Sequence, residues 1–296
     1  MRPIKVVTDS SADLTAEQLD RYGIGCVDIN YVVDGEIRCG SPRWKGITPE
    51  EMDALLDSDK VVKTSQPKPS DTERAFREYL DGGYDIFYLS ISSGLSGSVN
   101  GVAMVARELL KEYPEARIEV VDSRYVSTPL AMLAIYASRI AGEGADMDSL
   151  AEKVRDETSK LYCMCSVRSL DYFKRNGRIK ADKAFLGNLM GIKPLLTMDD
   201  DGYIVPMKKV RGWRQVLEEM AAIINGSGMR EGDTVYIVHS FPSEDGIRPL
   251  LDGIEGKIPC NIHIARMCPI ASVICGPESV IIAGNGTPLL RREGKQ

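Results

Sequence analysis

Four clusters of hydroxyl-bearing residues each follow a short apolar run that predicts a β-strand. A parallel sheet binds its ligands beyond the carboxyl ends of its strands. The clusters are therefore expected to gather on one sheet edge, where hydroxyls and backbone N–H groups can hold an anion. They are Thr8-Asp9-Ser10-Ser11, Thr64-Ser65-Gln66-Pro67, the serines and glycines of residues 92–98, and Asp122-Ser123.

The third cluster has the sequence ISSGLSGS (residues 91–98) and precedes a predicted helix over residues 99–113. Ser96 is expected to cap this helix, and Gly94 and Gly97 would let a bound group approach the backbone closely. Free N–H groups and the helix dipole favour a negative charge at this point. Because neither a Walker A motif nor G-x-G-x-x-G is present, a carboxylate or a single phosphate fits better than a nucleoside triphosphate.

An enzyme that acts on a small anionic or acyl substrate at the same site is the alternative hypothesis. A Ser96 nucleophile would lack the G-x-S-x-G elbow, because Ser98 stands where the second glycine belongs. His239 and Asp122 would complete a catalytic triad only if the fold brings them to Ser96. The sequence therefore assigns no catalytic residue, and turnover without a partner protein would favour the enzyme.

Composition narrows the class of protein. The 296 residues carry a net charge of -6 at pH 7, which argues against a sequence-independent nucleic-acid binder. No stretch of about 18 apolar residues predicts a transmembrane helix, and the first ten residues lack the apolar core of a signal peptide. Seven scattered cysteines indicate reduced thiols, and the DDDG turn (199–202) lacks the glutamate of a calcium loop. We expect a cytoplasmic protein without a metal or other cofactor.

Strand and helix patterns alternate through the first 160 residues. Capping boxes at Thr15/Gln18 and Ser70/Glu73 indicate two helix starts. This alternation predicts an α/β domain over residues 1–160, with a mainly parallel sheet flanked by helices. The predicted strands cover residues 4–7, 26–33, 61–63, 86–91 and 118–121.

The pattern changes after residue 160 and predicts a second α/β domain with a mixed sheet over residues 161–296. A hairpin is predicted around Asp199-Asp200-Asp201-Gly202. The remaining predicted strands cover 162–167, 234–239, 261–265 and 279–283, and the predicted helices cover 169–174, 184–190, 213–225 and 243–253.

Six motifs resemble the DegV family of bacterial fatty-acid-binding proteins and occur in the family's order over nearly the whole chain. The resemblance implies two α/β domains with a long-chain fatty acid (C14–C18 class) between them, its tail in an apolar tunnel. It also implies a partner, the catalytic subunit of a fatty acid kinase, which converts the bound carboxylate to an acyl phosphate in phospholipid metabolism. The motifs are VVTDSSADLT (6–15), KTSQPKPSD (63–71), ISSGLSGS (91–98), VVDS (120–123), SLDYFKRNGRIKADKAFLGNLMGIKPLL (169–196) and PIASVICGP (269–277).

The resemblance implies a set of ligand-binding residues. Thr64 and Ser96 would donate hydrogen bonds to the carboxylate, which agrees with an anion held at a helix N-terminus. Ser65, Ser93 and the backbone of Gly97 would line the same pocket.

Two positions depart from the family's pattern. Arg178 lies in the basic turn KRNGRIK (174–180), where the family usually has two glycines, and Asn176 is expected to supply the positive φ there. The turn is either a solvated basic surface or a contact for a partner or a transferred phosphate. Ile274 stands where the family usually has a histidine beside the head group, and an isoleucine neither donates a hydrogen bond nor carries a proton. Cys275 is expected to point away from Ile274, as neighbours do in an extended segment.

Overall fold

The computed structural model describes residues 2–182, 185 and 191–286. In chain order the strands are β1 (Ile4–Asp9), β2 (Gly25–Val27), β3 (Asn30–Val33), β4 (Glu36–Cys39), β5 (Val62–Ser65), β6 (Asp85–Ser90), β7 (Ile118–Asp122), β8 (Leu161–Ser166), β9 (Ile192–Met198), β10 (Ile204–Arg211), β11 (Thr234–His239), β12 (Asn261–Arg266) and β13 (Val280–Asn285). The helices are α1 (Ala16–Arg21), α2 (Pro49–Leu56), α3 (Pro69–Asp81), α4 (Ser98–Glu112), α5 (Thr128–Gly142), α6 (Met147–Thr158), α7 (Asp171–Asn176), α8 (Trp213–Asn225), α9 (Arg248–Ile254) and α10 (Pro269–Cys275).

The first sheet is parallel and has the strand order β2-β1-β6-β7. Successive side chains of a strand point to opposite faces, so Val6 and Val7 pack into different cores. Val6 packs with α5 and α6 on one face, and Val7 packs with α3 and α4 on the other. Burial on both faces explains the continuous apolar runs of these strands, and the predicted parallel sheet flanked by helices is confirmed.

A small antiparallel sheet with the order β4-β3-β5 corrects two sequence predictions. The single strand predicted over residues 26–33 is wrong, because it divides into β2 and β3, which belong to different sheets. The division lies where the Ile29 N–H donates to Ser10 Oγ at 2.8 Å instead of to a neighbouring strand. β5 is also not part of the parallel sheet, so the cluster at its end reaches the site from another direction.

The second large sheet is mixed, as predicted, with the order β10-β9-β8-β13-β11-β12. β11 and β12 are parallel, and the other pairs are antiparallel. α8 and α9 cover one face, and the opposite face packs against α7, α10 and residues from the first half of the chain. Every strand up to Asp122 lies in the first two sheets, and every described strand from Leu161 on lies in the third, while the division into domains at residue 160 stays a prediction.

Of the two predicted capping boxes, one is present and one is not. The Thr15/Gln18 capping box is present, with both reciprocal hydrogen bonds formed. The Ser70/Glu73 box is wrong, because the N-cap of α3 is two residues earlier, at Lys68, which makes no side-chain cap bond, and the helix begins at Pro69. The helix predicted at 184–190 lies outside the described residues, apart from residue 185. None of the described helices is both long and apolar enough to cross a membrane.

Candidate functional site

An apolar cavity lies between the mixed sheet and elements from the first half of the chain. Its empty space measures about 850 Å³ when the open space at its mouth is included. Leu196, Ile204 and Ile281 line it from the mixed sheet, and Ile270 and Ala271 line it from α10. We call this space the tail cavity.

Three polar residues reach the tail cavity from the end of β5: Thr64, Ser65 and Gln66. The Thr64 N–H donates to Asn176 Oδ1 at 3.4 Å, which holds the end of β5 against α7. The hydroxyls of Thr64 and Ser65 are half-buried and have no hydrogen-bond partner among the described residues. They are therefore free to donate to a ligand.

Ser96 also lines the tail cavity, but it is not the N-cap of α4 as predicted. α4 begins at Ser98 with Gly97 as its cap, because the chain makes one further turn after β6. Ser96 Oγ instead lies 2.8 Å from Ser98 Oγ and accepts the Ser98 N–H at 3.2 Å. If the Ser98 hydroxyl donates to Ser96, the Ser96 hydroxyl is left to donate into the cavity.

The two glycines of this loop lie close to protein groups, and their approach to a bound group stays a prediction. A Cβ on Gly94 would lie 2.8 Å from the Gly202 carbonyl oxygen, in the β9–β10 turn. Ser92 Oγ donates to the same oxygen at 2.8 Å. A Cβ on Gly97 would lie 2.7 Å from Gln66 Nε2, and Gly97 is exposed and absent from the cavity wall.

Ser93 does not line the tail cavity either. Its side chain is exposed, and its N–H donates to Asp122 Oδ1 at 3.1 Å. Asp122 thus joins the two neighbouring loops, after β6 and β7, on the solvent side of the sheet edge. The structure brings together Thr64, Ser65, Ser96, Arg178 and Ile274, and it leaves Ser93 and Gly97 outside.

Arg178 supplies a positive charge at the cavity wall. Its Nη1 donates to the Asn176 carbonyl oxygen at 2.9 Å, and it has no acidic partner among the described residues. The residue with positive φ in this turn is Gly177 (63°), not Asn176 as predicted, because Asn176 is the last residue of α7. An anion in the cavity would therefore meet a cation that no described carboxylate neutralises.

Ile274 and Cys275 lie in α10, so the extended segment predicted for them is wrong. Both line the tail cavity, because successive residues of a helix are only about 100° apart. Cys275 is therefore a wall residue that the sequence analysis missed. The missed signal is the helical spacing of Ile270, Ala271, Ile274 and Cys275, which places all four on one face.

Two further cysteines, Cys163 and Cys165, line the same cavity from β8. Their C-x-C spacing places both on one face of the strand. Burial raises the pKa of Cys163 to about 12, and a hydrogen bond with Cys275 together with burial raises the pKa of Cys165. At neutral pH these thiols are protonated and form part of an apolar wall.

The catalytic triad of the alternative hypothesis is not assembled. His239 packs against Phe241 and does not line the tail cavity, and burial and the charge of Arg266 lower its pKa to about 4. Asp122 accepts backbone N–H groups of Ser93 and Arg124. The described ranges also contain no group of three or more His, Cys, Asp or Glu side chains that could hold a metal ion.

Comparison with known proteins gives consistent results. The family described as "Uncharacterised protein, DegV family" matches residues 3–283. A DegV domain-containing protein of Streptococcus pyogenes is 32% identical over 286 residues, or 94% of this chain and 96% of that protein. One from Clostridium perfringens is 31% identical over 88% of this chain and 89% of that protein. The structure of a DegV family protein from Thermus thermophilus, described by its fatty acid binding, has a TM-score of 0.85 and 27% identity, covering 97% and 100% of the two chains.

Proposed function

The chain belongs to the DegV family, and on this premise we propose that it binds one long-chain fatty acid in the tail cavity. The observation that supports this most directly is the composition of the cavity wall. Apolar side chains form most of it, and Thr64, Ser65, Gln66, Ser96 and Arg178 supply hydroxyl and amide groups and a cation. The fatty acid binding described for the Thermus thermophilus relative agrees with this proposal.

In the proposed complex, Thr64 and Ser96 donate hydrogen bonds to the carboxylate. Ser65 adds a third hydroxyl, and the charge of Arg178 complements the anion. Hydrogen bonds to an ionised group are worth about 1.5–3 kcal/mol each, roughly twice a neutral hydrogen bond. The head group therefore orients the ligand and selects acids over alcohols or esters.

The acyl tail supplies most of the binding free energy in this proposal. Burial contributes about 0.8 kcal/mol per methylene, so an acid of the C14–C18 class gains more from its tail than from its carboxylate. The acyl tail contacts no charged thiolate in the cavity wall, because the thiols of Cys163 and Cys165 are protonated. Each of the seven cysteines, all within the described ranges, is a free thiol, which favours the cytoplasm as the proposed location.

Lipid extraction tests the proposal. Purified protein is denatured in organic solvent, and the extract is analysed by mass spectrometry; we expect one C14–C18 acid per chain. Delipidated protein is then titrated with hexadecanoic acid and, as a control for the head group, with hexadecanol. Saturable binding of the acid but not of the alcohol is expected. An empty extract together with no saturable uptake would refute the proposal.

We further propose that the bound acid is presented to a fatty acid kinase, which would work poorly because of Ile274. Ile274 lies in the cavity wall, but it cannot offer the hydrogen bond that a histidine offers there. With a bacterial fatty acid kinase catalytic subunit, we expect slow acyl phosphate formation that Ile274→His accelerates. Rapid phosphorylation of the wild type, unimproved by Ile274→His, would show that this position does not limit the reaction.

A further inference from the structure

A second cavity adjoins the tail cavity. It lies between the end of β7, the end of α6 and the β8–β9 region, and encloses about 1340 Å³ with its open mouth included. Cys163, Thr197 and Met198 line both cavities. These three side chains are therefore a shared wall, and we call them the partition.

The three members of the partition differ in how their side chains are held. Thr197 Oγ1 donates to the Cys163 carbonyl oxygen at 2.7 Å, which fixes the Thr197 side chain against β8. Cys163 lies inside β8 and pairs with Ala283 of β13. Met198 is the last residue of β9, and its thioether side chain has three rotatable bonds. Of the three, Met198 has the longest and most flexible side chain, so it is the one whose side chain can move farthest without breaking a hydrogen bond.

The two cavities offer different environments to the far end of an acyl chain. Around Met198, the tail cavity is lined by apolar neighbours such as Leu196 and Ile204. The second cavity is lined in part by charged side chains, including Asp122, Arg124 and Arg155, and it opens to solvent. The second cavity is also lined by Val121, Val154 and Leu161, so it can bury methylenes and accommodates a polar terminus as well, whereas the tail cavity favours a methyl terminus.

We propose that Met198 sets the length of the acyl chain that this protein accepts. With Met198 in place, the tail ends inside the tail cavity. When Met198 swings aside, the two cavities join, and the far end of a longer chain enters the second cavity. This inference rests on the proposed binding of a fatty acid, and it names the class of ligand more narrowly: straight-chain acids up to the length that Met198 permits.

Binding profiles against chain length test the inference. Delipidated wild type, Met198→Ala and Met198→Phe are titrated with straight-chain acids from C14 to C22. Met164→Ala serves as the matched control, because Met164 is a fully buried methionine of β8 that belongs to the core under α8 instead of the tail cavity. A 20-hydroxyeicosanoic acid is included to probe the polar side of the partition.

We expect Met198→Ala to bind the C20 and C22 acids at least about tenfold more tightly, relative to the C16 acid, than wild type does. Each further buried methylene is worth about fourfold in affinity, from about 0.8 kcal/mol. The terminal hydroxyl should weaken binding less in Met198→Ala than in wild type. Met198→Phe should shift the preference toward shorter acids, and Met164→Ala should leave it unchanged.

The outcomes separate the two proposals. If wild type binds the C16 acid but Met198→Ala and Met198→Phe keep its length profile, the partition does not set chain length. If Met164→Ala shifts the profile as much as Met198→Ala does, the shift is a general effect of core loosening, and the inference is overturned. If wild type binds no acid of any length, the proposed function fails and this inference fails with it.

Discussion

Two polar loops follow neighbouring parallel strands at the same edge of the first sheet, but they have different roles. The loop after β1 (residues 9–13) is buried and its polar groups bond to protein. The loop after β6 (residues 91–97) has Ser96 at the wall of the tail cavity. This difference shows that a polar loop at a strand end can form a binding site only where some of its donors make no hydrogen bond to protein.

The first loop supports the second. Asp9 accepts the N–H groups of Ser11 and of Ile91, the latter at 2.8 Å, so a buried carboxylate fixes the start of the loop after β6. Asp13 accepts the Cys268 N–H at the start of α10 and the hydroxyl of Ser127. Two carboxylates thus hold three elements of the cavity wall in place, although neither lines the cavity.

The largest effect is expected from Asp13→Asn. Burial raises the pKa of Asp13 to about 7, so the native state keeps its proton between pH 4 and 7 while the unfolded state loses it. Asp13 therefore lowers the wild-type free energy of unfolding as pH rises through this window, by up to about 4 kcal/mol. Asparagine keeps the acceptor for Cys268 and removes this pH dependence.

Urea unfolding of both proteins from pH 4.5 to 8 measures this effect. The stability of Asp13→Asn relative to wild type should rise across the window. His239 acts in the opposite direction, because its pKa is lowered to about 4, but it is present in both proteins and cancels in the difference. A constant difference across pH would mean that Asp13 does not titrate, and fatty acid affinity should stay unchanged if the first loop is purely structural.

The next effect is expected from Asp9→Asn. Every described partner of the Asp9 carboxylate is a donor. The NH2 group of an asparagine side chain would therefore face an N–H or O–H donor instead of an acceptor. We expect a loss of about 2–3 kcal/mol in the free energy of unfolding at pH 7. Chemical denaturation measures it, with Ser93→Ala as the control in the second loop. Equal stability of the two variants would contradict the structural role of the first loop.

Sequence patterns predicted the elements whose signals are local. The short apolar run at residues 4–7 and the turn at 199–202 needed no long-range information. The division between β2 and β3 depends on Ser10, 19 residues from Ile29, and could not be read from strand propensity. Six of the seven residues of α10 are apolar, and the segment is too short for periodicity to distinguish a buried helix from a strand.

The candidate site was predicted in part for the wrong reason. Ser96 follows a parallel strand as expected, but Thr64 lies near the end of β5, which is antiparallel in the small sheet. Of the four hydroxyl clusters, those at residues 64–66 and 96 reach the tail cavity. The others bond internally, as Thr8 Oγ1 does to the Leu89 carbonyl oxygen. Which hydroxyls find protein partners depends on contacts across the fold, and single-sequence patterns do not report them.

A smaller effect is expected from Ser96→Ala and Thr64→Ala, and it should fall on binding instead of stability. Each variant removes one charge-assisted hydrogen bond to the carboxylate, so affinity for hexadecanoic acid should fall about tenfold. Isothermal titration at pH 7.5 measures this, with Ser93→Ala as a matched serine outside the cavity. A loss in Ser93→Ala equal to that in Ser96→Ala would contradict the division between the two serines.

The smallest effects on stability are expected from the glycines of the second loop, and they sharpen the comparison within it. Gly94→Ala places a Cβ 2.8 Å from a backbone oxygen of Gly202, which cannot move independently, so we expect a loss of about 1–2 kcal/mol. Gly97→Ala meets the end of the Gln66 side chain, and its φ of -75° suits alanine, so stability should change by less than about 0.5 kcal/mol. Fatty acid affinity of Gly97→Ala should stay within about threefold of wild type, because the end of the Gln66 side chain can move away from the added Cβ. A much larger loss of affinity, with stability intact, would show that the Gly97 backbone approaches the carboxylate and that this loop binds the ligand over more of its length than Ser96 alone.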